Sequence, residues 1–399
     1  MSKGTMGEYR FLPIEKVIFG EGAIENIPEA VALLNSHRIA VIASNSLMGS
    51  SSLGKIKKLL GERLVCVVSG TVQHAPASSI LTVADKIKEH NPDLLISFGG
   101  GTVIDTTKAI ALVIGEGIES IEGFSKYAVK FEYPDKIEIP SITNSLLPHI
   151  SIPTTLSAAE FSNIAGITDE QRRVKNLYID DKLTPIQVFL DPSVTLDTPQ
   201  WLWSATGLRA LDHSIETVYS KKTQVVTTTL AVESIKLLNK NLRKCQEDPA
   251  DIDARMQCQL AAWMSFFGVT NVMMGVSHGI GHQLGAHANV PHGVTSSIML
   301  PHVMRYCLPV TTHEQAQISK AMGLDASEMT TEEMGQRASE LVSILIQDLK
   351  LPARLRDVDV NKDLFNIIAK DAMGDLVVAS SPRKVKSQED IVQLLEQAW

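Results

Sequence analysis

The chain has 399 residues, enough for two or three domains, and 44% of them are apolar, so a large core can be buried and disorder is excluded as the main state. Lys and Arg number 37 against 45 Asp and Glu, a formal net charge of −8 with no basic block, which argues against nucleic acid and anionic membranes as partners. The cysteines Cys66, Cys245, Cys258 and Cys307 lie far apart without a C-x-x-C pair, and MSKGTMGEYRFLP at the start has no apolar segment behind a basic one; both fit a cytoplasmic protein.

In chain order, residues 38–43 (RIAVIA) and 64–68 (LVCVV) read as buried strands, residues 81–90 have helical apolar spacing, and residues 92–98 (PDLLISF) form a third strand running into Gly99-Gly100-Gly101. Asp105 and Lys108 then open a helix through residues 109–112. From about Leu196 the strand signals stop, and helices are expected over 201–220, 225–242, 252–267 and 332–348. Pro192 forces Asp191 to be extended, which places a boundary there. The expectation is an α/β domain over 1–191, a parallel sheet with flanking helices, followed by an all-α domain over 192–399.

One stretch is anomalous: from Met256 to Met304 there is no Asp, Glu, Lys or Arg. Residues 260–277 are long enough to span a membrane, but Ser265, Thr270 and Asn271 interrupt them. The same stretch carries His278, His282, His287, His292 and His302, five of the chain's eleven histidines. A buried helix pair lining an active site accounts for both features.

Three segments carry chemistry. A strand, then GGGT, then a helix suits a phosphate: glycines let the backbone approach the anion, and the helix N-terminus offers free N–H groups. Glycines making only a tight turn are the bland alternative, and the spacing is not G-x-G-x-x-G. In the second segment His278 and His282 stand at i and i+4 on one helix face, small residues between them leave room for a ligand, and His292 follows Pro291 at a turn that can close over the same pocket. Zinc or iron is the obvious use of such a cluster, although the Glu of a metalloprotease helix is missing; ordinary core histidines are the alternative, to which His287 and His302 are assigned. In the third segment, residues 206–216, a helix puts Arg209 and His213 on one face.

These segments in this order resemble the iron-containing, group III alcohol dehydrogenase family. The likeness runs from Phe19-Gly20-Glu21-Gly22 through Gly99-Gly100-Gly101-Thr102 with Asp105 and Lys108, Ile152-Pro153-Thr154-Thr155 and Asp191-Pro192, to the block from His278 to His292 and Leu300-Pro301-His302. The resemblance implies a dehydroquinate-synthase-like architecture in which the first domain binds a nucleotide and the second is catalytic, hydride transfer in the cleft between the domains, a small alcohol or carbonyl substrate and a homodimer. It implies that Gly99, Gly100, Gly101 and Thr102 cradle the pyrophosphate, that Asp105 holds the nicotinamide side, and that Thr154 and Thr155 line the cofactor cleft.

Two departures stand out. Metal-binding members use Asp, a His four residues later, and two histidines matching His278 and His292; here the Asp position is Arg209, a cation that cannot ligate a metal and repels one. Asp212 lies about 100° round the helix from His213 and cannot simply take over. The loop over 152–160 is one residue shorter than in metal-dependent members, a feature resembling the maleylacetate reductase branch. At the second strand's end, where NAD-preferring members carry Asp, this chain has Ser44-Asn45, so a 2′-phosphate is not repelled. The expectation is therefore an NADP(H)-favouring oxidoreductase, with NAD(H) also usable, that works without Fe or Zn. His213, His278 and His292 polarise the carbonyl, or bind a metal if one is present. His282 donates the proton, and Arg209 stabilises negative charge, recognises a substrate carboxylate, or merely pairs with Asp212 or Glu216. The alternatives are a metal-dependent alcohol dehydrogenase or maleylacetate reductase, and a nucleotide-binding protein that has lost catalysis.

Overall fold

Strands that are apolar at consecutive positions must bury both faces, and a parallel sheet with helices on each side does this. The computed structural model describes residues 7–132, 136–172 and 174–399 and has that arrangement in its first half. Strands β1 (Lys16–Phe19), β2 (Ile39–Ala43), β3 (Leu64–Val68) and β4 (Leu94–Gly99) are followed by a small hairpin, β5 (Lys130–Glu132) and β6 (Lys136–Glu138). Then come β7 (His149–Pro153), the hairpin β8 (Ile164–Asp169) and β9 (Val174–Ile179), and β10 (Gln187–Leu190). Six of these make one parallel sheet in the order β1-β10-β7-β4-β2-β3. Every residue of β2, β4, β7 and β10 is buried.

Helices α1 (Ile27–Leu33), α2 (Ser51–Leu60), α3 (Ala77–Lys88) and α4 (Gly101–Glu116) cover the sheet. They create one apolar core on each side: Ile27, Leu53 and Ile56 on one face, Ile80, Ile110 and Leu112 on the other. Because all six strands are parallel, their C-termini, and so the GGGT turn after β4, lie along one edge of the sheet.

The second half is helical: α5 (Gln200–Tyr219), α6 (Val225–Glu247), α7 (Ile252–Asn271), α8 (Val276–Ala288), α9 (His292–Ala321), α10 (Thr331–Asp348), α11 (Phe365–Ala372), α12 (Leu376–Ala379) and α13 (Gln388–Gln397). They enclose a third core around Trp203, Leu211, Ile280 and Met299. The uncharged stretch maps onto α7, α8 and the start of α9. Among the described residues no single helix is long and apolar enough to cross a membrane; α7 and α8 together have the length and composition, but they meet at 99° and pack within this core.

Candidate functional site

The cofactor-binding residues expected from sequence come together at the end of β4. The Gly99 carbonyl accepts the Thr154 N–H at 3.0 Å, and Gly100 caps α4 in an extended conformation without a side-chain cap, so the first N–H groups of the helix are left for a ligand. A Cβ on Gly100 would sit 2.9 Å from Thr155 Cγ2, and one on Gly101 would sit 2.9 Å from Ser157 Oγ. Loop 154–157 thus lies so close that the turn must be glycine, and its closeness shapes the cradle. Behind it, the buried Lys108 ammonium donates to the carbonyls of Ala159, Ser162 and Ile164 at 2.7, 2.8 and 2.9 Å and to the Ser162 hydroxyl at 2.7 Å. Burial lowers the Lys108 pKa to about 8 and raises that of the neighbouring Glu160 to about 7. Asp105 accepts the Gly166 N–H of β8 at 3.4 Å.

Ser44 follows β2, its hydroxyl 3.1 Å from that of Ser46. Asn45 is partly committed, because its side-chain oxygen accepts the Gly70 N–H at 3.1 Å.

Facing this edge, α5, α8 and the first turn of α9 supply the histidines. The His213 and His278 rings are 5.0 Å apart, the His282 and His292 rings 5.5 Å apart, and His213 meets the Phe266 ring edge-on at 5.4 Å. Burial, reinforced for all three by the Arg209 cation, holds the pKa values of His213, His278 and His292 well below the usual imidazole range, so they are neutral at pH 7. His213 Nδ1, His278 Nε2 and His292 Nδ1 are buried without a protein partner.

Arg209 is only 7% exposed. Its Nη1 donates to Ser296 Oγ at 3.1 Å and lies 3.7 Å from Asp212 Oδ2, which also accepts the hydroxyls of Ser277 and Ser296 at 2.8 and 2.7 Å. The pairing with Asp212, the blander of the expectations for Arg209, is therefore present. Burial raises the pKa of Asp212, and it raises that of Glu216 to about 7.

Two expectations need correction. The small residues between His278 and His282 do not leave room for a ligand: a Cβ on Gly279 would lie 2.2 Å from Val378 Cγ2, and one on Gly281 would lie 2.7 Å from Thr295 Oγ1. They admit neighbouring helices instead. The residual metal set His213, His278 and His292 is also not the group that converges. Among the described residues, the ligand atoms lying within 4.8 Å of one another belong to Asp212, Glu216 and His278. Asp212 enters this group through His278, a residue far along the chain, and not by standing in for Arg209 beside His213.

The donors in that group are largely committed. Glu216 accepts the N–H groups of Gly275 and Ser277 at 2.6 and 3.0 Å and lies 2.7 Å from His278 Nδ1. Two atoms of the group, Asp212 Oδ1 and His278 Nε2, have no partner. A divalent ion would have to break this lattice and sit beside the Arg209 cation.

Several residues at the site escaped the sequence reading. Asp375 holds His282 Nδ1 at 2.8 Å. The His74 ring lies 6.5 Å from that of His292, edge to face, and brings a side chain of the α/β half against the helical half. The Lys175 ammonium lies near Asp105 and lowers the pKa of His292. None of the three belongs to a local motif; only Glu216, three residues after His213 within the third segment, was within reach of one. His287 and His302 have neighbours of their own, His287 at 2.8 Å from Asp371 and His302 at 3.0 Å from Arg305.

Comparison with known proteins gives a consistent picture. A family model described as "Iron-containing alcohol dehydrogenase" matches residues 14–192, and another, "Fe-containing alcohol dehydrogenase family, C-terminal", matches residues 203–399. An NAD-dependent methanol dehydrogenase from Bacillus methanolicus is 29% identical, over 97% of this chain and 99% of the relative. An alcohol dehydrogenase from Oenococcus oeni superposes with a TM-score of 0.90 at 25% identity, covering 98% of this chain and 100% of that one. A maleylacetate reductase from Agrobacterium tumefaciens shares the fold at a TM-score of 0.80 and 23% identity, covering 99% of this chain and 98% of that one.

Proposed function

Because this chain belongs to the iron-containing alcohol dehydrogenase family and is an alcohol/aldehyde oxidoreductase, we propose that it works with NAD(P)(H) on a small alcohol or carbonyl compound and without a catalytic metal. The observation that carries the metal-free reading is Arg209, buried beside His213 and His278 and bonded into the Asp212 network. The Glu216–His278 contact and the guanidinium beside Asp212 weigh against a resident divalent ion on Asp212, Glu216 and His278.

The dinucleotide fits the open N-terminus of α4, where the N–H groups of Gly101 and Thr102 would hold its pyrophosphate, with Gly100, Thr154 and Thr155 shaping the cradle. When bound, it supplies or accepts the hydride. The neutral imidazoles of His213, His278 and His292 orient the substrate oxygen by hydrogen bonds, Arg209 stabilises negative charge developing there, and His282 exchanges the proton. Both phosphorylation states of the cofactor are accepted in this reading: Ser44 and Asn45 put no carboxylate at the end of β2, and a relative is named for NAD dependence.

Elemental analysis with turnover in a chelator tests the reading. The expected result is well under one iron or zinc per chain and an unchanged rate, with Arg209→Asp increasing metal content. Stoichiometric metal whose removal abolishes turnover overturns it. In that event the second reading applies, a metal on Asp212, Glu216 and His278, which their 4.8 Å convergence and the unpartnered Asp212 Oδ1 favour; Glu216→Gln would then release it.

A further inference from the structure

We propose that Asp375 is the positioning residue of the proton-transfer step, fixing His282 in the one tautomer that can serve the substrate oxygen. The proposal rests on the reading of His282 as the group that exchanges the proton.

His282 lies on α8 and Asp375 lies 93 residues further on, immediately before α12, yet Nδ1 and Oδ2 are 2.8 Å apart, with the side chains 16% and 10% exposed. Two further contacts fix the carboxylate, and two more seat its helix. Its other oxygen, Oδ1, accepts the Val377 N–H at 3.0 Å as the N-cap of α12, and Oδ2, aimed at His282, also accepts the Gln283 side-chain N–H at 3.4 Å. The helix itself is seated on α8, because Gly279 has no side chain and Val378 occupies the space where one would be. Ser380 Oγ completes the seat by donating to the Met274 carbonyl, just before α8.

A carboxylate only accepts hydrogen bonds, so the hydrogen between the pair belongs to Nδ1 of His282. Nε2, on the far side of the ring, is then the nitrogen that gains and loses a proton. In the reducing direction the substrate oxygen, negative after hydride arrives at its carbon, takes the Nε2 proton of the imidazolium. The N–H bond breaks, the O–H bond forms, and neutral imidazole remains with Nδ1–H still on Asp375; solvent restores the proton. Oxidation runs the same transfer backwards, with Nε2 of the neutral ring as the base. The carboxylate stabilises the imidazolium without being protonated, the division of labour seen in other Asp-His pairs.

Asp375→Asn is the diagnostic variant. Asparagine keeps the N-cap through its oxygen, so α12 stays in place, while its amide N–H faces Nδ1 and drives the hydrogen of neutral His282 onto Nε2. The expected result is a drop in kcat of about 10²-fold, with KM and cofactor Kd within about threefold of wild type and a larger solvent isotope effect on kcat as proton transfer becomes slower. Asp375→Glu should recover part of the rate. Combining Asp375→Asn with His282→Ala should cost little more than His282→Ala alone, since the two act as one unit. A fully active Asp375→Asn beside an inactive His282→Ala overturns the role of Asp375 and leaves that of His282 standing. A fully active His282→Ala overturns the underlying reading, and this proposal with it. A loss in Asp375→Asn with an unchanged isotope effect, or with cofactor binding lost in parallel, makes Asp375 a structural cap only and also overturns the proposal.

Discussion

On one wall of the proposed site the groups that would meet a ligand are backbone N–H groups at the start of α4; on the other they would be the side chains of Arg209, His213, His278, His282 and His292. The first wall is held by close approach, with loop 154–157 against Gly100 and Gly101 and the Lys108 ammonium tying down the segment from Ala159 to Ile164. The second is held by a lattice of buried partners, Asp212 and Glu216 from α5, Ser277 from α8, Ser296 from α9 and Asp375 before α12. A wall made of backbone works with any sequence that permits the turn and fails through shape. A wall made of side chains fails through the loss of one chemical group while its shape survives.

The strongest way to break this contrast is to damage each wall once. His282→Ala should lower kcat by about 10²-fold while cofactor Kd stays near wild type. Gly100→Val should do the reverse, weakening cofactor binding by about tenfold or more with kcat at saturation much less affected, because its side chain must displace Thr155. Stopped-flow titration and steady-state rates on both variants check this; the contrast is lost if both lose Kd and kcat alike.

Acid stability tests whether neutral buried histidine is special to the site wall. His149 lies on β7, outside it, with Nε2 2.8 Å from Ser97 Oγ, and burial lowers its pKa from 6.5 to about 3. A histidine depressed in the folded state contributes stability above pH 6.5 that is lost progressively as pH falls towards 3. Between pH 7 and pH 5 this amounts to about 2 kcal/mol, which His149→Gln should remove from the difference between urea-denaturation free energies at those two pH values. Glu160 and Glu216, raised to about 7, act in the opposite sense, losing stability as pH rises from 4.5 to 7, and they cancel in the wild-type-to-variant comparison. An unchanged pH dependence would mean that His149 is not held neutral by burial.

The smallest effect concerns the adenosine end of the backbone wall. Ser44→Asp places a carboxylate after β2 where a 2′-phosphate would lie, and should shift the ratio of kcat/KM for NADPH over NADH towards NADH by about tenfold, or ~1.4 kcal/mol. An unchanged ratio would detach Ser44 from the cofactor.

The same contrast explains what could be read before the structure. The GGGT turn was legible because a backbone site imposes its demand on consecutive residues, β2 and β3 were legible because each is an apolar run of five residues, and β4 because Leu94, Leu95, Ile96 and Phe98 are broken only by Ser97 and lead straight into that turn. β1 and β10, four residues each, are too short to be distinguished from loop without their pairing partners, and β7 hides its strand character behind His149 and Ser151. In the helical half the histidines stood out against an uncharged background, but what each can do is set by its partner. Asp375 is separated from His282 by 93 residues and sits in a segment with no motif, so no spacing rule reaches it. The fate of Gly279 and Gly281 was misread for the same reason, since the helices that fill the space above them come from elsewhere in the chain.

The Glu216 carboxylate has a mechanical consequence. By accepting the N–H groups of Gly275 and Ser277 it caps α8 from the body of α5, in place of a cap from the connecting segment itself. The sharp corner between α7 and α8 is thereby riveted to a neighbour, and His213 and His278 ride on one stiff unit. Breathing of the site is then expected at the seam where His74 meets His292, between the halves of the molecule, more than within the histidine wall. Amide exchange should accordingly be slow at Gly275 and Ser277 even while the segment around His74 exchanges quickly.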